Sequence, residues 1–531
     1  MPVDFTYNMV AENRYSTVVA KYPPENVRKV REKRTEYYQS EAALETAFIE
    51  QLKTQGYEYL PITNEDALKT NLRTQLEKLN NFTFSDKEWE QFFTSELANP
   101  NQSIAEKTTT IQEDYIKNLR LENGTVKNIY LLDKQSIHNN SLQVINQYAT
   151  DKGKRANRYD VTVLVNGLPV VHIELKRRGV AITEAFNQIN RYQRESFWAG
   201  SGLFEYVQVF VISNGTHSKY YSNTTRAKHI KNCRGESRVR PITGKKSSNS
   251  FEFTSWWADA ANKPITGLMD FAKTFFAKHS LLNILTRYCV FTSEQELLAM
   301  RPYQIVATER ILNRIEISTN YKKLGSLEAG GYIWHTTGSG KTLTSFKAAQ
   351  LASKLSDINK VLFVVDRKDL DYQTMREYDK FEKGAANSNT STLVLKRQLE
   401  GSSTKIIITT IQKLDRFIKK NRGHKIFRDH MVIIFDECHR SQFGDMHTGI
   451  TKTFKNYHLF GFTGTPIFAV NASSGGRPDL KTTEQAFGDK LHTYTIVDAI
   501  SDKNVLPFRV DYISTMREEE NIEDKKISSI N

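Results

Sequence analysis

Between residues 331 and 463, short apolar runs alternate with longer stretches of helical character. Runs such as Val361–Val365 and Met431–Phe435 are β-branched and far too short to cross a membrane, which is typical of buried strands. Strands that alternate with helices favour a parallel, doubly wound sheet. The sequence therefore predicts an α/β unit. Its predicted strands are Gly331–His335, Val361–Asp366, Lys405–Thr409, Met431–Phe435 and Leu459–Thr463, and its predicted helices include Lys341–Ser353 and Asp369–Lys380.

A glycine-rich segment joins the first of these strands to the helix that follows. Gly338, Ser339 and Gly340 precede Lys341 and Thr342. Backbone N–H groups of such a loop, together with the helix N-terminus, bind phosphates. The lysine pairs with the β- and γ-phosphates, and the threonine hydroxyl binds Mg²⁺. This segment predicts a site for ATP and Mg²⁺, whereas the simpler interpretation is a Gly-rich turn.

Two acidic residues end the strand at 431–435 and extend the predicted nucleotide site. Asp436 is predicted to bind Mg²⁺, through water or directly, and Glu437 to position the hydrolytic water. Either residue alone is also consistent with an ordinary acidic strand end. Their order along the chain, at strand ends, favours ATP hydrolysis.

A second set of catalytic residue types lies nearer the N-terminus. Asp160 precedes an Asn166–Gly167 turn, and Glu174 and Lys176 follow it, so the segment predicts a β-hairpin. Two carboxylates are suitable ligands for Mg²⁺, which polarises a scissile phosphate. The lysine then orients the attacking water or stabilises negative charge. The pattern predicts a metal-dependent nuclease site, and the simpler interpretation is a strand with surface charges.

The hairpin register decides whether these carboxylates meet. A two-residue turn would place Asp160 opposite Ile173 and on the other face from Glu174. A three-residue connection, or a β-bulge, would place Asp160 opposite Glu174. The chemistry therefore predicts one of these two irregularities. Nearby candidates for accessory roles are Gln188 and Tyr192, which share a face of a predicted helix at 182–198, and Glu41 on the first predicted helix.

Together these motifs resemble the restriction (motor) subunit of type I restriction–modification enzymes. The resemblance implies a restriction-endonuclease-like domain of the PD-(D/E)xK class followed by a RecA-like helicase domain. It implies that Gln304 recognises adenine, that Thr463 and Thr465 couple hydrolysis to DNA movement, and that His335 stands where the general phosphate-loop pattern has glycine. Gln188 and Tyr192 resemble the Gln-x-x-x-Tyr motif of some nucleases of this class. The segments that show the resemblance are Arg158–Val161, Ile173–Val180, His335–Thr342, Val365–Leu370 and Asp436–Gln442.

The family resemblance also implies partners and a reaction. Such a subunit joins modification (methyltransferase) and specificity subunits, moves double-stranded DNA with ATP, and cuts unmethylated DNA with Mg²⁺. We predict a nuclease domain with an N-terminal extension at 1–265, a first RecA-like domain at 266–470, and a linker with an incomplete second motor domain at 471–531. A fragment or truncated gene product is therefore expected, with weak ATP binding, no translocation alone and an intact nuclease motif.

Charge and cysteine usage set further limits. A net charge of +14 suits a polyanionic partner, and the basic stretch 226–246 is predicted to be an exposed loop, either solvated or facing DNA. The three cysteines are far apart, which argues against zinc or a disulfide framework and favours the cytoplasm. No membrane contact is expected. Two alternatives remain open: a superfamily 2 helicase or ATPase with an inactive nuclease-like domain, and a non-catalytic DNA-binding fragment.

Overall fold

The computed structural model describes residues 40–225, 250–365, 376–381, 386–387, 391–402, 405–438, 445–471, 480–502 and 504, with four two-residue strands ahead of them. The early strands are β1 to β4, at Asn8–Met9, Glu12–Asn13, Ser16–Thr17 and Ala20–Lys21. The predicted basic loop at 226–246, Asp366, and the first part of the predicted helix at 369–380 lie outside the described residues.

A seven-stranded mixed sheet forms the first unit. Its central strands, β9 (Asn157–Val165) and β10 (Leu168–Leu175), form a hairpin, while β10 pairs in parallel with β11 (Val209–Ser213). All eight residues of β10 are buried, which explains its nearly continuous apolar sequence. In spatial order the sheet contains β13 (Ser255–Trp256), β12 (Ser218–Ser222), β11 (Val209–Ser213), β10 (Leu168–Leu175), β9 (Asn157–Val165), β8 (Leu142–Thr150) and β5 (Glu58–Tyr59). A separate small hairpin joins β6 (Ile116–Arg120) to β7 (Val126–Tyr130).

Helices surround this sheet and bury amphipathic faces against it. The first helix is capped by the Ser40 side chain and buries Leu44, Phe48 and Leu52, as the helical spacing predicts. The helices of this part of the chain are Glu41–Thr54, Glu65–Asn80, Asp86–Phe92, Ile104–Gln112, Ile182–Glu195, Leu268–Phe275 and Lys278–Thr286.

Residues 268–286 pack against the first unit, although we predicted that the second unit begins at 266. Leu268 N donates a hydrogen bond to Gly215 O at 3.1 Å. The Tyr57 hydroxyl donates to Phe276 O at 2.7 Å. The two sheets also share one continuous hydrophobic core, because apolar residues of both belong to the same buried cluster. In the described residues, the two units are therefore not separated by a sharp boundary between independent cores.

A second seven-stranded sheet, parallel throughout, confirms the predicted doubly wound α/β fold. Strand β16 (Gly331–His335), strand β20 (Met431–Phe435) and the helix Lys341–Ser353 have the predicted bounds. In spatial order the strands are β18 (Ala386–Asn387), β19 (Ile406–Thr410), β17 (Lys360–Val365), β20 (Met431–Phe435), β21 (Tyr457–Thr463), β16 (Gly331–His335) and β22 (Lys490–Tyr494). A two-stranded ribbon of β14 (Cys289–Phe291) and β15 (Leu297–Ala299) precedes the sheet.

Strand β22 lies within residues 471–531, which we predicted to be a linker and the incomplete start of a second motor domain. Residues Lys490–Tyr494 of this segment pair in parallel with β16, so this part of it forms an edge of the second sheet. Residues 472–479, 503 and 505–531 lie outside the described residues. In the described parts of the chain, no helix is both long enough and apolar enough to cross a membrane, including the longest, Pro302–Asn320. The helices of the second unit are Pro302–Asn320, Lys341–Ser353, Thr392–Glu400, Ile411–Lys420, Asp445–Thr453, Thr483–Phe487 and Ile496–Ser501.

Candidate active sites

A β-bulge brings the two predicted nuclease carboxylates together. The turn at Asn166 and Gly167 has two residues, both with positive φ (50° and 83°), and Val165 pairs with Leu168. The register then shifts between Pro169 and Val171, so that Ile173 pairs with Val161 instead of Asp160. One residue further along, Asp160 lies opposite Glu174. Of the two irregularities that the chemistry predicted, the chain has the bulge.

The carboxylates and the lysine form a buried, hydrogen-bonded cluster. Asp160 Oδ2 accepts a hydrogen bond from Leu175 N at 2.9 Å. Lys176 Nζ donates to Glu174 Oε1 at 2.7 Å and to Leu175 O at 2.9 Å. Glu174 is fully buried, and its Oε2 has no hydrogen-bond partner among the described residues. An unpartnered buried carboxylate oxygen is costly unless a cation lies beside it or the carboxyl group takes up a proton.

Burial determines the ionisation of this cluster. Removal from water and the charge of the adjacent Glu174 together raise the pKa of Asp160 to about 7, although the Leu175 N–H and Lys176 act to lower it. Burial also raises the pKa of Glu174 to about 7, although Lys176 lowers it. Burial lowers the pKa of Lys176, but Glu174 more than offsets this, so the pKa lies above its ordinary value. Two neighbouring carboxyl groups whose pKa values both lie near 7 are typical of functional sites.

Replacing Asp160 with Asn is expected to stabilise the metal-free protein at pH 8. The unfolded chain ionises this carboxyl near 3.8 and the folded chain near 7, so stability falls as pH rises through that interval. Asparagine keeps the acceptor for Leu175 N without the buried charge. We expect a gain of at least about 1 kcal/mol at pH 8, the free energy of one pKa unit. Thermal unfolding in chelator measures it. The exposed Asp151→Asn variant is the control, and an unchanged or lowered Tm for Asp160→Asn would contradict the prediction.

Two further ionisable residues belong to this site and were not predicted. Glu45 accepts hydrogen bonds from Asn146 and Gln147, and its pKa is raised by burial and by Asp160. His172 Nε2 lies 3.6 Å from Glu174 Oε2, and His172 Nδ1 lies 3.1 Å from the Thr162 hydroxyl. The spacing of Glu45 and His172 from predicted site residues could have indicated that they belong to this site. Glu45 is one helical turn after Glu41, and His172 is two residues before Glu174, on the same strand face.

The predicted accessory residues also lie at the cluster. Glu41 Oε1 accepts a hydrogen bond from Arg177 N at 3.3 Å. Gln188 Nε2 donates to the Tyr192 hydroxyl, which donates in turn to Arg158 O at 2.8 Å. Burial raises the pKa of Tyr192, and the charges of Glu174 and Asp160 raise it further. The helix at 182–195 therefore supports β9 beside the carboxylates.

The glycine-rich loop 338–340, which we predict to bind phosphate and call the phosphate-binding loop, joins β16 to the N-terminus of the helix Lys341–Ser353. Gly338 and Gly340 adopt positive φ (80° and 77°), and Gly340 is the N-cap of the following helix. The Tyr303 hydroxyl and Gln304 Nε2 both donate to Ser339 O, at 2.7 and 3.1 Å. Gln304 Oε1 accepts from Arg301 N at 2.9 Å, so its amide is engaged by backbone on both sides. Gln304 thus supports the loop, and its predicted contact with adenine stays a prediction.

Residues from three strand ends meet at this loop. Lys341 Nζ lies 3.3 Å from Glu437 Oε1. Asp436 Oδ1 accepts from Glu437 N at 2.9 Å, and burial and Glu437 raise the pKa of Asp436 to about 6, whereas Lys341 lowers it. A methyl group added at Gly464 would lie 3.5 Å from Lys341 Nζ. These contacts bring together the residues predicted to hold Mg²⁺ and the phosphates. Thr342 follows Lys341 at the start of the helix.

Neighbouring residues hold the loop and the adjoining strand ends. His335 Nε2 lies 2.9 Å from His492 Nδ1, which links β16 to the edge strand β22. Thr463 Oγ1 accepts a hydrogen bond from Thr465 N at 3.0 Å, so these two residues form one tight turn. A cavity of about 270 Å³ adjoins Gly338–Gly340 and is lined by residues of both units, including Tyr221 and Tyr303.

Comparison with known proteins gives two family matches. Residues 38–229 match the N terminus of type I restriction enzyme R proteins, and residues 303–530 match the SWI2/SNF2 ATPase family. The EcoprrI type I restriction enzyme endonuclease subunit of Escherichia coli is 47% identical over 316 residues, which cover 59% of this chain and 93% of that relative. The chain belongs to the family of type I restriction enzyme endonuclease subunits.

Longer relatives match most of this restriction-subunit chain. The SsaAORF53P type I restriction enzyme endonuclease subunit of Staphylococcus saprophyticus is 42% identical over 490 residues, which cover 90% of this chain and 48% of that relative. A type I restriction endonuclease subunit of Staphylococcus aureus, SauCOLORF180P, gives the same identity and coverage. The chain therefore spans about half the length of these relatives.

Proposed function

We propose that this chain is the nuclease and first motor part of a subunit that cleaves double-stranded DNA with Mg²⁺ after ATP-driven translocation. The observation on which this proposal rests is the buried cluster of Asp160, Glu174 and Lys176 in a chain that also has a phosphate-binding loop. We further propose that it acts in the cytoplasm with modification and specificity subunits. Two free buried cysteines support a reducing environment.

The nuclease residues suit one magnesium ion. Asp160 and Glu174 supply oxygen ligands, and Glu174 Oε2 has no hydrogen-bond partner among the described residues. No group of three or more His, Cys, Asp or Glu side chains in the described ranges forms a metal cage. Asp160 and Glu174 supply the kind of ligand that Mg²⁺ prefers, because this ion often binds through one or two carboxylates and keeps several waters. When bound, it polarises the scissile phosphate and activates water.

The surrounding residues position the side chains of the nuclease site. Leu175 N–H fixes Asp160, and Glu174 together with Leu175 O holds the Lys176 ammonium beside the carboxylates. Because its pKa is raised, Lys176 stays protonated and either orients the attacking water or stabilises charge on the phosphate. Gln188 and Tyr192 hold the β9 backbone at Arg158 O.

At the nucleotide site, the loop N–H groups bind the phosphates and Lys341 pairs with their negative charge. Thr342 and Asp436 are the residues that would hold Mg²⁺, which would offset the negative charge of the phosphates. Glu437 is proposed to orient the attacking water, and its contact with Lys341 supports this role. We propose that Thr463 and Thr465 couple ATP hydrolysis to DNA movement. They flank Gly464, where an added methyl group would lie 3.5 Å from Lys341 Nζ, and this closeness supports the proposal.

The restriction subunit that contains this chain should be assembled with modification and specificity subunits. We expect unmethylated circular DNA to be cut only when ATP and Mg²⁺ are both present, and methylated DNA to stay intact. Cutting without ATP would contradict motor-dependent cleavage, and absence of cutting on all substrates would leave a helicase or a DNA-binding protein.

Metal affinity of the nuclease site is expected to rise with pH. Protons compete with the ion for Asp160 and Glu174, whose pKa values are both about 7. Affinity for Mg²⁺ or Mn²⁺ should therefore increase between about pH 6 and pH 8 and then level off. Calorimetric titration without nucleotide measures this, with Asp160→Asn as the control that lacks the site. A constant affinity from pH 5 upward would show that the carboxyls ionise at ordinary pKa values.

A further inference from the structure

A large cavity lies between the two units and includes none of the residues proposed for either active site. Its volume is about 710 Å³. Residues within 112–137 and 283–291 form the wall on the first unit. Residues within 347–355, together with Phe381, form the wall on the second unit. Lys347, Gln350 and Leu351 of the second wall belong to the helix 341–353, which begins at the phosphate-binding loop, so the cavity and the nucleotide site share this helix.

The cavity is strongly cationic. Lys134, Arg287, Lys347 and Lys354 line it, and Glu113 is the acidic residue among its lining side chains. Two of these cations belong to each unit. Like charges gathered around a concave space repel one another, and an anion bound among them offsets that repulsion.

Contacts of the individual lysines show that they are held at the wall. Lys134 Nζ donates to Gln112 O at 2.7 Å and lies 4.9 Å from the centre of the Tyr115 ring. Lys347 is 6% exposed, and its Nζ donates to Gln350 Oε1 at 2.8 Å. Burial lowers the pKa of Lys134 to about 8, and the positive charge of Lys354 contributes to this lowering. The charges therefore interact across the space between the two units.

We propose that this cavity binds a phosphorylated small molecule of nucleotide size, at a second site separate from the phosphate-binding loop. Its volume lies in the range of about 300–1,000 Å³ that is usual for small-ligand sites. Lysine and arginine side chains from two walls match the several oxygens of a polyphosphate. Such a ligand joins the helix at 341–353 to the nuclease unit, and its binding stabilises their packing.

Tripolyphosphate is the probe, and the test uses the Lys341→Ala background so that the phosphate-binding loop does not contribute. Isothermal titration is expected to show one site, and the Tm is expected to rise with probe concentration. Lys134→Gln and Lys354→Glu should each weaken binding about tenfold or more, the effect of losing one charged hydrogen bond. Lys354 is exposed at its helix C-cap, so its substitution is compatible with folding. Lys452→Glu, in the last turn of another helix, is the matched control.

Three outcomes would overturn the proposal. The first is no tripolyphosphate binding in the Lys341→Ala background. The second is equal weakening by Lys452→Glu, which would show a nonspecific charge effect. The third is loss of affinity for a DNA oligonucleotide, but not for tripolyphosphate or ATP, in Lys134→Gln and Lys354→Glu, which would assign the cations to a DNA backbone. Selective loss of tripolyphosphate and ATP binding supports the proposal.

Discussion

DNA cleavage by the assembled enzyme is expected to fall by about a thousandfold or more when Glu174 is replaced by Gln. The substitution preserves side-chain volume but removes a fully buried charge. It replaces the carboxylate whose Oε2 is proposed to bind the metal, and it removes the ionic partner of Lys176 at 2.7 Å. The initial rate of cutting of unmethylated circular DNA, with ATP and Mg²⁺ at pH 8, measures the effect.

ATP hydrolysis by the Glu174→Gln enzyme is expected to stay at the native rate, because no residue of the phosphate-binding loop contacts Glu174 in the described structure. Glu50→Gln, an exposed substitution on the helix 41–54, is the control and should leave both activities unchanged. Native cleavage by Glu174→Gln would instead favour a helicase whose nuclease-like domain is inactive.

The hairpin of the nuclease site could be predicted from the sequence, but its register could not. The residue types and the Asn166–Gly167 turn predicted a hairpin with two facing carboxylates, but that turn suits a plain two-residue hairpin equally well. The register is settled by the bulge at Pro169–Val171, next to a proline that has no N–H to donate to the ladder. Pro169, near the start of the second strand, is therefore the feature of the sequence that favours a bulge.

Residues buried beneath the site were harder to predict. Glu45 and His172 are polar residues within apolar patterns, and their meaning depends on partners more than 100 residues away in one case and 10 in the other. Sequence spacing gives the face on which such a residue lies. Only the packed structure gives its partner and its degree of burial, which determine its pKa.

In the second unit, apolar strands were predicted well and the polar edge strand was missed. β20 has five consecutive buried apolar residues, which predict a strand directly. β22 has the sequence Lys-Leu-His-Thr-Tyr, and its polar His492 is buried through a contact with His335. The strand forms because β16 offers a free parallel edge, which is a tertiary effect that local pattern does not contain.

Replacing Lys341 with Ala is expected to lower ATP hydrolysis by about a hundredfold or more. The substitution removes the cation proposed to pair with the phosphates. It also removes a charge that lowers the pKa of Asp436, which is already raised to about 6. Asp436 should therefore be protonated to a higher pH and hold Mg²⁺ less well near pH 7. The residual ATPase rate is expected to rise with pH above 7 more steeply than that of the native enzyme.

The Lys341→Ala variant also tests whether DNA cleavage depends on ATP hydrolysis. Lys341→Ala leaves Asp160, Glu174 and Lys176 untouched, so Mg²⁺ binding at the nuclease site should be native while ATP-dependent cutting of DNA is lost. Lys420→Ala, at the exposed end of the helix 411–420, is the matched control. Cutting at the native rate by Lys341→Ala would mean that the nuclease works without the motor. Loss of cutting with native metal binding would mean that DNA cleavage at the first unit requires ATP hydrolysis at the second.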